Sequence, residues 1–181
     1  NPIIFYRSVE QSLGSPDNSM LGLSWKANLL KRFQLYGQIM LDDFNFRNRA
    51  NGVGYWGNKY GWQAGLKYIN AFWVPRLDLQ FEYNRIRPYT YSPFNPTANY
   101  SHDGQYLAHG RGSNLYDLNV IARYQPFPRW NATVIFTSLL KGYDLNGDNW
   151  GGDIFRPYTQ RVQDYNNTVG QGDGFRATML Y

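Results

Sequence analysis

The sequence predicts an all-β fold, an antiparallel up-and-down transmembrane β-barrel with about eight strands in these 181 residues. Three observations predict it. Apolar and polar side chains alternate with period 2 in segment after segment, the connections between segments alternate short and long, and aromatic residues gather near the segment ends.

The alternation can be followed along the chain. From 20 to 29, Leu21, Leu23, Trp25, Ala27 and Leu29 share one face, while Gly22, Ser24, Lys26 and Asn28 share the other. From 33 to 42, Phe33, Leu35, Gly37, Ile39 and Leu41 alternate with Gln34, Tyr36, Gln38, Met40 and Asp42. The segment from 60 to 70 sets Trp62, Ala64, Leu66 and Tyr68 against Gln63, Gly65 and Lys67. From 77 to 84, Leu77, Leu79, Phe81 and Tyr83 oppose Asp78, Gln80, Glu82 and Asn84. Two more follow at 117 to 125 (Leu118, Val120, Ala122, Tyr124) and 130 to 140 (Trp130, Ala132, Val134, Phe136, Leu140), with weaker candidates at 3 to 9 and 174 to 181.

The connections carry the topology. Leu30-Lys31-Arg32, Phe72-Trp73-Val74-Pro75 and Pro126-Phe127-Pro128-Arg129 are tight turns, and between them lie long polar segments at about 44 to 59, 86 to 115 and 141 to 173. Short turns at one end and long loops at the other are the habit of outer-membrane barrels, with the turns periplasmic and the loops extracellular. Trp25, Phe33, Tyr60, Trp62, Phe72, Trp73, Tyr83, Tyr124, Phe127 and Trp130 supply the aromatic girdles. Lys26, Asp42, Lys67, Asp78, Glu82 and Arg123 all fall opposite the Leu/Val/Phe row, where a lumen can hydrate them. A soluble sandwich with one wet face is the alternative, and loops of this length count against it.

Composition narrows the function. Aromatics make up 18% of the chain against 17% charged residues, and no run of roughly 18 apolar residues offers a transmembrane helix. Without cysteine there is no disulfide framework and no thiolate metal site or nucleophile. The opening NPIIFYRSV lacks the charged and apolar regions of a signal peptide, so any such peptide is expected to lie outside this segment. The net charge of +5 is scattered instead of gathered on one face, which argues against nucleic acid as a partner.

Motifs for chemistry are few. His102 and His109 are the only histidines, and their spacing matches no zinc motif. Ser101-His102-Asp103 are contiguous, which is a poor arrangement for a catalytic triad. Asp144, Asn146 and Asp148 imitate the start of a calcium loop, but Asn149 and Phe155 stand where a glycine and an acidic residue belong, leaving a turn-forming loop as the simpler reading. No catalytic residue and no cofactor are expected. An echo, Arg87-Pro88-Tyr89-Thr90 and Arg156-Pro157-Tyr158-Thr159, places a cation, a turn former and an aromatic in two long loops, suited either to sugar contact or to leaving a strand at an interface.

The stretches NPTANYSHDGQYLAHGRGSNLYDL, YQPFPRWNATV and LLKGYDLNGDNWGGDIF together resemble the Wzi-type capsule-assembly outer-membrane proteins, closest to the Bacteroidota versions that include gliding-motility-associated members. The resemblance spans most of the chain and is most specific in the histidine-containing segment. It implies a portion of a larger barrel, from its C-terminal half, seated in the bacterial outer membrane and holding capsular or other surface polysaccharide without catalysis. Gly110-Arg111-Gly112 departs from the family pattern, where an apolar or proline-bearing stretch follows the second histidine. The loop residues expected to meet glycan are Tyr89, Tyr91, Tyr100, His102, Tyr106, His109, Arg111, Trp150 and Tyr158. Expected partners are outer-membrane lipid, surface polysaccharide and other outer-membrane proteins. An accessory subunit of a surface-protein export or gliding machine is one alternative. The other is a diffusion porin lined by Gln34, Gln38, Lys67, Gln80, Glu82 and Arg123.

Overall fold

The structure, a computed structural model, describes residues 20 to 43, 53 to 95 and 100 to 181. It is all-β. Seven strands form one antiparallel sheet: β1 (Leu21–Leu29), β2 (Phe33–Asp43), β3 (Lys59–Tyr68), β4 (Leu77–Ile86), β7 (Leu115–Phe127), β8 (Trp130–Tyr143) and β9 (Asp173–Leu180), in that spatial order. Two short strands, β5 (Ser101–His102) and β6 (Gln105–Tyr106), make a separate hairpin inside the segment from 86 to 115, where the sequence signalled only a loop. The strand expected at 3 to 9 lies outside the described residues. Among those residues the sheet is open, with β1 and β9 at its edges.

Register keeps the two faces in phase across the sheet. Leu23 opposes Ile39, Ile39 opposes Trp62, and the row continues through Arg85 to Tyr116. A parallel row runs Leu35, Leu66, Phe81, Val120, Phe136 and Leu180. Because side chains alternate with period 2, a one-residue slip anywhere would exchange the faces. The apolar face is left open, with Leu23 64% and Phe81 42% exposed. Two cations do join it, Arg85 and Arg176, both at the long-loop end; the Arg85 guanidinium lies 5.6 Å from the centre of the Tyr116 ring.

The opposite face is a hydrogen-bonded layer. Tyr36 donates to Glu82 at 2.7 Å and accepts from Gln80 at 2.8 Å, Arg123 donates to Gln80 at 3.0 Å, and Thr137 donates to Asn119 at 2.7 Å. Tyr36 on β2 reaches Glu82 on β4 by crossing Gly65 of β3, where any Cβ would overlap the phenol ring. The intervening strand therefore has to be bare at that position.

Tight turns close one end. Leu30 and Lys31 both take positive φ between β1 and β2, and Pro128 and Arg129 join β7 to β8. Between β3 and β4, Asn70 is left-handed (φ 48°), accepts from the Arg76 N–H at 2.7 Å through its side chain, and donates its own N–H to Asp78 at 3.0 Å. Aromatics crowd here: Phe33 stacks on Tyr68 at 4.4 Å, and Trp73, Phe127 and Trp130 are exposed. Trp25 does not belong to a girdle as expected; it sits at mid-strand opposite Gly37, which leaves room for its indole.

The core lies at the other end, where Ile86, Tyr91, Leu115, Leu139 and Ile154 form a buried cluster under the long connections. Met40, Ile86, Leu115 and Leu139 replace polar residues on the hydrogen-bonded face as it meets the loops. Burying each such aliphatic side chain contributes roughly 1.5–3 kcal/mol.

The Asn70 turn yields a stability prediction. Asn70→Ala removes the side-chain bond and forces a Cβ-bearing, non-amide residue to hold positive φ, so urea denaturation is expected to show a loss of about 1–2 kcal/mol. Asn70→Gly keeps the backbone unstrained and should lose roughly half as much. Equal losses would mean that the backbone conformation carries no cost.

Candidate functional site

The long connections fold over the end of the sheet and bond to one another mainly through backbone. The Trp56 N–H donates to the Asp164 carbonyl at 2.9 Å, and the Asn166 N–H to Val53 at 2.7 Å, joining the β2–β3 and β8–β9 connections. The Tyr89 N–H donates to Gly151 at 3.1 Å and the Tyr158 N–H to Pro93 at 3.2 Å, joining the β4–β5 segment to the same partner. At Gly151 (φ 78°) a side chain would strike the Tyr89 backbone and ring, so these two segments touch without a spacer.

Three buried polar side chains tie the assembly. Asn114 (φ 59°) is fully buried; its amide donates to the carbonyls of Gln171 at 2.9 Å and Gly142 at 3.2 Å, and its oxygen accepts from the Gly170 N–H at 2.7 Å. The buried Lys141 ammonium donates to Ser113 at 2.8 Å and Gly152 at 2.9 Å. Lys59, also buried, donates to the Ser92 carbonyl at 3.1 Å, lies 4.0 Å from Asp42, and sits 4.1 Å from the centre of the Tyr158 ring. Each buried cation thus meets several oxygens, without which its desolvation would be prohibitive.

The expected contact residues separate into two groups. Tyr89 and Tyr91 do not stand on the outer surface as expected: both rings are buried, and Tyr91 borders a cavity on the polar face. Tyr89 donates its hydroxyl to the Asn149 carbonyl at 2.9 Å, and Tyr91 packs in the core with its N–H on Asp42 at 2.8 Å. Burial pushes the Tyr89 phenol up to about 12 and raises Tyr91 further, with Asp42 adding to the effect. Tyr106 packs on Phe155 at 5.5 Å, and burial raises its phenol too. His109 and Arg111 are spent on one carboxylate: Asp117 lies 3.1 Å from the His109 Nε2 and 2.6 Å from the Arg111 guanidinium. His102 is exposed at the hairpin tip, so the two histidines serve different ends of the segment. Trp150 is half-buried, its carbonyl accepting from Gln171 at 2.9 Å.

The imitation of a calcium loop is a turn. Asp144 accepts from the Trp150 N–H at 2.9 Å and pairs with Arg156 at 2.9 Å, while Asn146 and Gly147 take positive φ before Asp148 bonds back to Leu145. Among the described residues no group of three His, Cys, Asp or Glu side chains stands close enough to hold a metal.

Tyr158 belongs to an aromatic and cationic cluster that sequence reasoning did not assemble. Its ring lies 4.7 Å from Trp56 and 6.1 Å from Phe94, which is 70% exposed, and the Arg161 guanidinium covers Trp56 at 4.2 Å. Tyr55 extends the cluster to Tyr165 at 5.4 Å. These residues come from three connections, and no local pattern links them. Tyr100, 37% exposed and stacked on Tyr91 at 5.9 Å, remains partly available on the other side. No protein-family model, no curated protein and no solved structure matches this chain.

Two predictions follow from the buried ties. Asn114→Ala leaves three backbone groups unsatisfied and strains a left-handed position, so a loss of roughly 3 kcal/mol is expected, with trypsin cutting within 141 to 173 before the strands give way. For Tyr89, the folded phenol ionises later than the unfolded one. Its contribution to stability is therefore complete below about pH 10, the ordinary tyrosine range, and is lost as pH rises toward about 12. Absorbance at 295 nm should show a class of tyrosines that ionises at pH 11 only after unfolding, and Tyr89→Phe should shrink that class.

Proposed function

We propose that the chain is a section of the wall of a bacterial outer-membrane β-barrel, non-enzymatic, whose external loops bind or anchor surface polysaccharide. The observation that carries this reading is the open apolar face shared by all seven strands, interrupted only by Arg85 and Arg176 at the long-loop end among the described residues, with aromatics toward both ends and a hydrogen-bonded polar face behind it. Soluble proteins seldom leave so extended an apolar surface in water, whereas hydrocarbon is a suitable solvent for it. At ~3.3 Å per residue and a tilt of about 40°, the stretch of β7 from Tyr116 to Phe127 rises roughly 28 Å, close to the ~25 Å apolar band of outer-membrane barrels.

The glycan part of the proposal rests on the loop assembly. Sugar rings offer apolar faces and hydroxyl edges, and the cluster of Trp56, Phe94, Tyr158 and Arg161 offers ring edges and faces beside a cation on a braced frame. The resemblance to Wzi-type proteins points the same way. The hairpin β5–β6 argues against the porin alternative, since the segment behind it returns to the polar face and anchors there through His109 and Asp117.

Two measurements test this. In refolding into lipid vesicles, Phe81→Arg on the apolar row is expected to cost about 2–4 kcal/mol and Gln80→Arg on the polar face far less. Equal costs would remove the membrane reading. On an array of surface polysaccharides, the full chain should bind, Trp56→Ala with Tyr158→Ala should lose most of that binding, and Tyr89→Phe should keep it. Failure of the unmodified chain to bind any polysaccharide would sink the glycan proposal.

A further inference from the structure

Between the polar face and the segment from Leu107 to His109 that follows the hairpin lies a cavity of about 310 Å³ whose walls are unlike the rest of that face. Gln38, Gln63 and Asn84 line it from β2, β3 and β4, and they are direct cross-strand neighbours, Gln38 opposite Gln63 and Gln63 opposite Asn84. Tyr91 and His109 line it from the connections. Gly61 opens its floor, where a Cβ would stand 3.2 Å from Ile86 and 3.6 Å from the Tyr91 hydroxyl.

The amides are the informative part. On the same face Tyr36, Gln80, Glu82 and Arg123 form one bonded chain, and Asn119 and Thr137 bond as a pair. Gln38 and Gln63 make no side-chain hydrogen bond among the described residues, and Asn84 uses one amide hydrogen, on Glu82 at 3.2 Å. Three carboxamides in a row, two of them uncommitted, present several donors and acceptors toward one half-open volume. Cavities of ~300–1,000 Å³ with a few placed polar groups are the usual form of small-ligand sites, and this one is at the lower end.

The charges around the cavity specify neutrality. Asp117 is already paired with His109 and Arg111, and Glu82 accepts from Tyr36 and Asn84. Lys59 and Lys141 spend their protons on backbone carbonyls. Among the described residues, an anion would find two carboxylates nearby and no uncommitted cation lining the cavity. A neutral molecule rich in hydroxyl groups, each able to donate and accept, matches side-chain amides on both counts.

We propose that this cavity is a second glycan subsite, which holds one neutral pyranose unit through the amide row Gln38, Gln63 and Asn84. The proposal rests on the polysaccharide reading above and adds a location and a chemical class to it. The outer aromatic cluster would then hold the chain along its length, while the cavity takes a single unit beside the segment from Leu107 to His109.

The test uses the full chain in detergent, with glucose, galactose, mannose and N-acetylglucosamine as neutral probes and glucuronic acid as the acidic one, read by saturation-transfer NMR and calorimetry. At least one neutral sugar is expected to bind at millimolar concentration, and glucuronic acid at least tenfold more weakly. Gln38→Met with Gln63→Met keeps side-chain length and removes the amides, and should weaken the neutral sugar at least tenfold with the melting temperature unchanged. Gly61→Ala, which narrows the floor, should weaken it as well. Binding that is indifferent to the amide pair, equal binding of the acidic sugar, or no binding of any neutral probe would overturn the subsite. If polysaccharide binding on the array survives in the amide variant and is lost with Trp56→Ala and Tyr158→Ala, the cavity proposal alone has failed. If the unmodified chain binds no polysaccharide, the broader reading has failed with it.

Discussion

Phase is the constraint on which the rest of this molecule depends. Seven strands must alternate in step, because a single slipped residue would carry Glu82 or Arg123 into the row occupied by Phe81 and Val120. Interruptions of pairing are confined to the strand ends, between Leu41 and Asp43 and between Tyr124 and Phe127, so mid-sheet register stays regular. Cross-strand contacts such as Tyr36 to Glu82, spanning an intervening glycine, fasten the polar face in that register. Once the phase is held, the two faces have different physics: one is mostly apolar and open, the other is a network of partners.

That division was legible in the chain because period-2 alternation is local information. The segments from 20 to 29, 33 to 42, 77 to 84 and 130 to 140 correspond to strands whose ends move by only a few residues in the structure. The tight turns were equally visible, since Leu30-Lys31-Arg32 and Pro126-Phe127-Pro128-Arg129 interrupt the pattern briefly. The connections were not legible. Nothing near Asn114 in the sequence announces Gly142, Gly170 or Gln171, and the same holds for Lys59 with Ser92 and Tyr158. The small hairpin at Ser101–Tyr106 was missed because two-residue strands leave no periodic trace.

Tyrosine is where sequence reasoning erred most instructively. Tyr89 and Tyr158 occupy equivalent places in an Arg-Pro-Tyr-Thr echo, yet one is sealed inside and the other joins the outer cluster. The difference arises from what crosses above them. Gly151 lets a second segment lie directly on Tyr89, whereas Tyr158 meets Trp56 and Phe94 at the margin. A motif recorded the local chemistry twice, and the tertiary arrangement gave it two roles. The histidines separate in the same way, with His109 anchored on Asp117 and His102 at an open tip.

The frame that supports the loops is built largely from main-chain groups and a few buried amides and ammonium groups, which leaves open side-chain space at its outermost points. At Gly104 and Gly147, both with positive φ, a side chain would meet nothing within 4 Å. Such tips can change in length and composition while Asn114, Lys59 and Lys141 go on holding the layer beneath them. Whatever the tips meet can therefore change without a matching change in the frame below.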